Sequence, residues 1–238
     1  MCITTFASVL VSSQALAGGI IVGPSDDLCV IFDNVRGVDV NANVVIGDSW
    51  DTATRNSGGE VRPAGILTMD YTQQASGSIQ AFCAEFDQAL STEAVCYLRT
   101  DVADLPSTAP MGELRAGIIA NHYYHNYATV TSSDSSAINA AFQLVLWEIS
   151  EEGWDGVDLT QLDLSIGAMQ FTTNNTEVTN AAASMLSNLT NNPNERMSLD
   201  GWQDVDSQDL ITVSVVPGPS IALAGALGLA GLRRRRRN

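Results

Sequence analysis

Lysine is absent from this 238-residue chain, and aromatic residues make up only 6% of it. All 11 basic residues are arginines, and five of them form one run at the C-terminus, whereas 27 residues are acidic. The chain ahead of that run therefore carries a net charge of −21. Such an acidic surface argues against binding to nucleic acid or anionic membranes and favours solubility.

Long hydrophobic runs are also missing, apart from one short segment at each end of the chain. The N-terminal segment leads to Ala15-Leu16-Ala17, the small-x-small pattern that signal peptidase cuts. We therefore predict a signal peptide at residues 1–17, a mature protein that begins at Gly18, and export. Signal peptidase is then a processing partner.

The C-terminal tail, residues 216–238, has three parts. Pro217-Gly218-Pro219 is followed by 12 apolar or small residues and then by an arginine cluster. The cluster consists of Arg233, Arg234, Arg235, Arg236 and Arg237. Twelve residues fall short of the ~20 that span a bilayer, but flanking residues and snorkelling arginines extend the reach. We predict a short C-terminal membrane helix with the arginines in the cytoplasm.

This tail resembles the PEP-CTERM sorting signal, with Gly218 where Glu is common between the two prolines. In that family an exosortase of the inner membrane processes the tail. The resemblance implies an exosortase partner and a protein that is transiently anchored in the inner membrane. It then reaches the cell surface, the exopolysaccharide or the extracellular medium.

Residues 18–215 are enough for one extracellular domain with a real core. Short β-rich runs predict strands at 28–32, 38–46, 64–72, 78–86 and 209–215. Residues 74–77 are typical of a hairpin turn. Helical spacing predicts helices at 111–124, 135–150 and 178–189, the second introduced by cap candidates Ser132, Ser133 and Asp134. This order indicates an α+β fold, a β-sandwich or barrel-like sheet with an inserted helical subdomain.

Two residues do not fit an ordinary core. Gln143 lies in a helix that is apolar around nearly its whole circumference, so its carboxamide is expected to be buried and to need partners. Cys83 belongs to an odd set with Cys29 and Cys96 once the leader is removed. The ordinary interpretations are a backbone partner for Gln143, and an inert thiol or a disulfide to either cysteine for Cys83.

Phe82-Cys83 on a strand and the segment 143–147, Gln-Leu-Val-Leu-Trp, on a helix resemble the two motifs of a thioester domain. Such domains occur in Gram-positive surface adhesins and in a set of PEP-CTERM proteins. The similarity extends from about Ala64 to Glu148. It implies that the Cys83 sulfur attacks the Gln143 carbonyl and expels ammonia, which leaves an internal thioester. An amine-bearing surface molecule or exopolysaccharide then attacks that carbonyl, so the protein is a single-turnover linker in adhesion or matrix assembly, not an enzyme.

The resemblance also implies supporting roles. A dry pocket is needed to preserve the bond, and its candidate shields are aromatic: Phe82, Phe142, Trp147, Tyr123 and Tyr124. A helix terminus or a nearby cation is expected to lower the pKa of the Cys83 thiol. Consumption of Cys83 leaves Cys29 and Cys96 as the candidate disulfide pair. The absence of lysine removes internal amines that would quench the electrophile, and no cofactor or metal is expected.

Other chemistries fit the same residues less completely. A Cys-His hydrolase would pair Cys83 with His122 or His125, but no local signature of a cysteine protease surrounds Cys83. The same His-x-x-His pair lacks further ligands at the spacing of a zinc site. A non-reactive module that binds exopolysaccharide or matrix, with Cys83 simply packed, is the alternative from a different class.

Overall fold

The computed structural model describes residues 27–36, 41–46, 60–72, 77–86, 88–167, 169–173 and 175–214. The strands are β1 Asp27–Arg36, β2 Asn41–Ile46, β3 Glu60–Pro63, β4 Ile66–Tyr71, β5 Ser78–Cys83, β6 Val95–Thr100, β7 Met169–Thr172, β8 Leu199–Gln203 and β9 Leu210–Val213. The helices are α1 Gly112–Ser132, α2 Ser136–Glu151 and α3 Thr176–Ser187, and single 3₁₀ turns occupy 102–104 and 159–161.

Six of the strands close into an antiparallel barrel in the order β1-β4-β5-β9-β8-β6. Closure pairs the backbone of each barrel strand on both sides and removes the free edges of the sheet. A separate three-stranded sheet has the order β3-β2-β7. The barrel and the three helices confirm the predicted α+β class.

One disulfide joins neighbouring barrel strands. Cys29 on β1 and Cys96 on β6 face each other directly in the antiparallel register, and their sulfurs are bonded. Residue numbers alone left three pairings open among the cysteines of the mature chain. The structure confirms the Cys29–Cys96 pair and leaves Cys83 as a free thiol.

The helices follow the prediction in number and differ from it at their ends. The first predicted helix stops at residue 124, whereas α1 continues for eight residues to Ser132. The side chain of Ser135 caps α2 by accepting a hydrogen bond from the Ile138 amide, so none of the three predicted cap residues has that role. Fourteen of the 16 residues of α2 are buried, as its apolar circumference predicts.

The sequence pattern missed four strands: β3 and β7, which have only four residues each, and β6 and β8, which do not alternate apolar and polar residues along their length. The predicted hairpin is confirmed by the antiparallel pairing of β4 and β5. The predicted signal peptide at 1–17 and the sorting tail at 216–238, with Pro217, Pro219 and the five arginines, lie outside the described residues. Within the described ranges, no helix has the length and hydropathy needed to span a bilayer.

Candidate functional site

Cys83 is the last residue of β5, opposite Leu210 of β9 in the barrel. Residues 81–86 are all buried, so both faces of the strand end are covered. A strand with one exposed face would alternate between buried and exposed residues. Only 6% of Cys83 is exposed. The thiol is therefore an unbridged sulfur held in the core of the domain.

Gln143 of α2 contacts the main chain of Cys83 with both ends of its carboxamide. The Cys83 amide donates to Oε1 at 2.9 Å, and Nε2 donates to the Cys83 carbonyl at 2.9 Å. The contact between residues 83 and 143 is thus the one expected of a buried carboxamide with a backbone partner. It joins Gln143 to the peptide groups of Cys83, and the further expectation that Gln143 supplies the acyl group stays a prediction.

A second glutamine contacts the sulfur itself. The Cys83 thiol donates to Oε1 of Gln208 at 2.9 Å, and Nε2 of Gln208 donates to the main-chain carbonyl of Glu85. Gln208 lies two residues before Leu210, and the pairing of Leu210 with Cys83 brings it to the strand end. Sequence analysis missed this residue because only that register, between strands far apart in the chain, marks it.

Carboxylates hold the segment that carries Gln208. The amide of Asp209 donates to Oε1 of Glu85 at 3.0 Å. The Asp209 side chain accepts hydrogen bonds from the amides of Ser107 at 2.7 Å and Asp204 at 2.9 Å. Three hydrogen bonds around one buried residue therefore fix the backbone next to Gln208.

The main-chain carbonyl of Glu85 accepts two side-chain donors. One is Nε2 of Gln208, and the other is the indole Nε1 of Trp147 at 3.0 Å. The Trp147 ring also packs edge-on against Phe86 with 5.2 Å between centroids. Trp147 thus has a polar role at the site besides the shielding role that the sequence predicted.

The electrostatics of the site oppose a thiolate. Burial raises the pKa of the Cys83 thiol well above its usual range, and the negative charge of Glu85 raises the pKa further. The expectation of a thiol with a lowered pKa is therefore wrong. At neutral pH the sulfur keeps its proton, consistent with its role as hydrogen-bond donor to Gln208.

Aromatic rings pack around the strand end. The Phe82 ring lies 4.4 Å from that of Phe142 and 5.9 Å from that of Tyr123, and Phe142 and Tyr123 are 5.0 Å apart. These three and Trp147 are buried, as expected of shielding residues. The prediction for Tyr124 is wrong: the next residue along α1 points about 100° away, and its side chain is 49% exposed beside His125.

The two histidines have partners other than Cys83. The buried imidazole of His122 lies 3.1 Å from the Phe142 carbonyl through Nε2 and 3.1 Å from the Asn126 amide nitrogen through Nδ1. His125 pairs with Glu195 at the surface. Burial lowers the pKa of His122 to about 3, so its ring is neutral and donates from Nε2. Among the hydrogen bonds of the described residues, neither histidine ring contacts the Cys83 sulfur.

No metal-binding group of three or more His, Cys, Asp or Glu side chains occurs in the part of the chain that the structure describes. The His122-x-x-His125 spacing that suggested zinc in the sequence is divided between a buried and a surface environment.

Two solved structures are similar to this chain. The N-terminal thioester domain of a surface protein from Clostridium perfringens matches with a TM-score of 0.41 and 11% identity, over 74% of this chain and 99% of that domain. The N-terminal thioester domain of the fibronectin-binding protein SfbI from Streptococcus pyogenes matches with a TM-score of 0.41 and 12% identity, over 76% and 95%. No protein-family model and no curated protein matches the sequence. At this level of similarity the two structures do not identify the reaction of this chain. That reaction is inferred from the contacts of Cys83.

Proposed function

We propose that this chain is an exported surface or matrix protein that forms an internal thioester at Cys83 and links covalently, once per molecule, to an amine-bearing partner. The observation that carries the proposal is a buried free thiol 2.9 Å from the carbonyl oxygen of a primary carboxamide, that of Gln208. A thiol and a carboxamide in contact are the two reactants of that bond.

The bond forms by acyl transfer. The Cys83 sulfur adds to the Cδ carbonyl of Gln208, the C–N bond breaks, and the thiol proton leaves with the nitrogen as ammonia. An amide is a poor electrophile, and fixed contact between the groups offsets this by an effective molarity worth up to ~10 kcal/mol. The hydrogen bond from the thiol to Oε1 polarises the carbonyl in the sense that the addition requires.

We assign the acyl group to Gln208 and a positioning role to Gln143. The Gln143 carboxamide uses both its oxygen and its nitrogen on the Cys83 peptide groups, which fixes the strand end. The Gln208 oxygen is the carbonyl that faces the sulfur. The Cys83–Gln143 bond that the motif resemblance implies stays the second candidate, with the same chemistry and with its carboxamide in contact with the Cys83 main chain.

The thioester then reacts with one partner molecule. An incoming primary amine attacks the carbonyl of residue 208, the C–S bond breaks, and one amine proton moves to the Cys83 sulfur. The buried aromatic rings exclude water from the bond, and the absence of lysine from the chain removes internal competitors. Turnover ends there, because no step regenerates the carboxamide, and the protein is a linker and not an enzyme.

Export and sorting complete the proposal. Signal peptidase and an exosortase would process the two ends, and the C-terminal helix would hold the protein transiently in the inner membrane. The amine-bearing target is then a surface molecule or an exopolysaccharide outside the cell. The support is the sequence of the tail and of the leader.

Intact-mass spectrometry tests the proposal. We expect purified chain to be lighter than its disulfide-corrected sequence mass by one ammonia, and methylamine to restore mass by one amine at residue 208. Cys83→Ala and Gln208→Ala should each abolish both effects, whereas Gln143→Ala should retain them in the folded protein.

The outcomes separate the candidates. A full sequence mass with an alkylatable Cys83 in the denatured chain would mean a non-reactive matrix or exopolysaccharide-binding module. Methylamine at residue 143 would return the acyl role to Gln143. Hydrolysis of peptides or esters with turnover would contradict the linker.

A further inference from the structure

We propose that the main-chain carbonyl of Glu85 is the subsite that receives the incoming amine, and that it selects primary amines over secondary amines and water. This inference rests on the thioester proposed above and names the nucleophile that its site accepts. It concerns a group on the strand segment just after Cys83, outside the two reacting side chains.

The position of the leaving nitrogen identifies the subsite. The nitrogen expelled as ammonia is Nε2 of Gln208, and that nitrogen donates to the Glu85 carbonyl. The same oxygen accepts the indole N–H of Trp147 at 3.0 Å, which holds the carbonyl in place after the ammonia has gone. Loss of ammonia therefore removes one donor from a buried acceptor that lies beside the position the nitrogen has left.

Attack by an amine is the reverse of ammonia loss with one hydrogen replaced by the partner. The reverse reaction passes through the same arrangement of groups, so the attacking nitrogen enters where Nε2 lay. Its remaining N–H can donate to the Glu85 carbonyl in the product amide, as Nε2 does in the unreacted chain. The carbonyl thus regains the partner that it lost.

Competing nucleophiles do not restore this hydrogen bond. A secondary amine gives a tertiary amide, which has no N–H to replace the one that Nε2 of Gln208 donated. Water gives a carboxylic acid at residue 208 whose ionised form would lie against the Glu85 carbonyl in a buried site next to the Glu85 charge. Primary amines are the class that the site accommodates.

The test compares isomeric amines on the intact thioester form of the full chain. Ethylamine and dimethylamine have the same formula, and isopropylamine is a branched primary amine that controls for bulk. Adduct formation is followed by intact mass, and each rate is divided by the rate of the same amine with a small alkyl thioester in the same buffer. We expect ethylamine to exceed dimethylamine by about tenfold after this correction, with isopropylamine close to ethylamine.

Two tryptophan variants sharpen the test. Trp147→Phe removes an N–H that the Glu85 carbonyl accepts, so the preference for ethylamine should widen. Trp154→Phe is the matched control, because Trp154 is buried and donates to the Ile149 carbonyl instead. Its ratio should equal that of the unmodified chain.

Three results would overturn the subsite. They are equal corrected rates for ethylamine and dimethylamine, an isopropylamine rate as low as that of dimethylamine, and the same change of ratio in both tryptophan variants. Each of these requires a thioester that reacts with amines. A chain of full sequence mass would instead remove the proposed function itself, so the two failures are distinct.

Discussion

Two walls meet at Cys83, and they contact different atoms of it. The helix wall, formed by α1 and α2, reaches the peptide N–H and C=O of Cys83 through Gln143. The loop wall, residues 204–209 between β8 and β9, reaches the sulfur through Gln208. A carboxamide on the peptide groups fixes the strand, whereas a carboxamide on the sulfur is placed to react.

The walls also differ in how they are held. The helix wall is built from buried rings and a helix with 14 buried residues, so a change there removes packing. The loop wall is polar, and hydrogen bonds to the Asp209 and Glu85 carboxylates hold it. Substitutions on the helix wall should therefore act mainly on stability, and those on the loop wall mainly on the bond.

The largest expected effect contrasts the two glutamines in a Cys83→Ala background, where no cross-link affects unfolding. Gln143→Leu leaves the N–H and C=O of residue 83 without their side-chain partners and should lower the free energy of unfolding by about 2–4 kcal/mol. Gln208→Leu removes one donor from a carbonyl that keeps Trp147, and should cost about 1 kcal/mol. Denaturant unfolding with an unchanged m-value measures both.

The same two substitutions are then made with Cys83 present. Gln208→Leu should give the full sequence mass, and folded Gln143→Leu should still lose ammonia. Equal stability costs for the two variants, or loss of the ammonia-deficient mass in both, would contradict the assignment of a positioning role to Gln143 and of the acyl group to Gln208.

A smaller effect separates the walls by pH. His122 on the helix wall has a pKa lowered to about 3, because burial disfavours its charged form. Its neutral ring therefore supports the fold fully above the unfolded value near 6.5, and that support is lost as pH falls toward 3, by about 1.4 kcal/mol per pH unit. The groups that face it are the Phe142 carbonyl, Asn126 and the nearby His125.

Chemical denaturation between pH 7 and 4 measures this slope. His122→Gln should flatten the slope relative to the unmodified chain, whatever its stability at pH 7. His125→Gln is the control on the same helix, and should leave the slope largely unchanged. A slope that is the same in all three chains would contradict a buried neutral His122.

The helix wall is the part of the site that the sequence predicted. Its apolar circumference predicts that α2 is buried. The Gln143 carboxamide is then an exception in that helix, because a buried amide group needs hydrogen-bond partners. The Phe82-Cys83 strand and the buried rings of Phe142 and Trp147 followed from the same pattern. The period of apolar residues within one short segment is enough to predict a buried helix, because the hydrogen bonds of a helix join residues that are close in the sequence.

The loop wall was not predictable in the same way. Residues 204–209, Asp-Val-Asp-Ser-Gln-Asp, have no apolar period and look like a solvated turn. Gln208 reaches Cys83 only because β9 pairs with β5 across 125 residues of sequence, and that register depends on closure of the barrel. β8, which was also missed, is the strand that brings the chain back to that loop.

The smallest expected effect tests the border of the helix wall. Tyr123 and Tyr124 are adjacent on α1, but Tyr123 is buried and its hydroxyl donates to the Ile211 carbonyl at 3.3 Å, whereas Tyr124 is half exposed. Tyr124→Ala should change the free energy of unfolding by no more than about 0.5 kcal/mol and leave ammonia loss intact. Tyr123→Ala, its matched variant, should cost about 3–5 kcal/mol by denaturant unfolding, because it empties a packed ring site. Comparable losses of unfolding free energy from both variants would mean that Tyr124 does shield the site, as the sequence predicted.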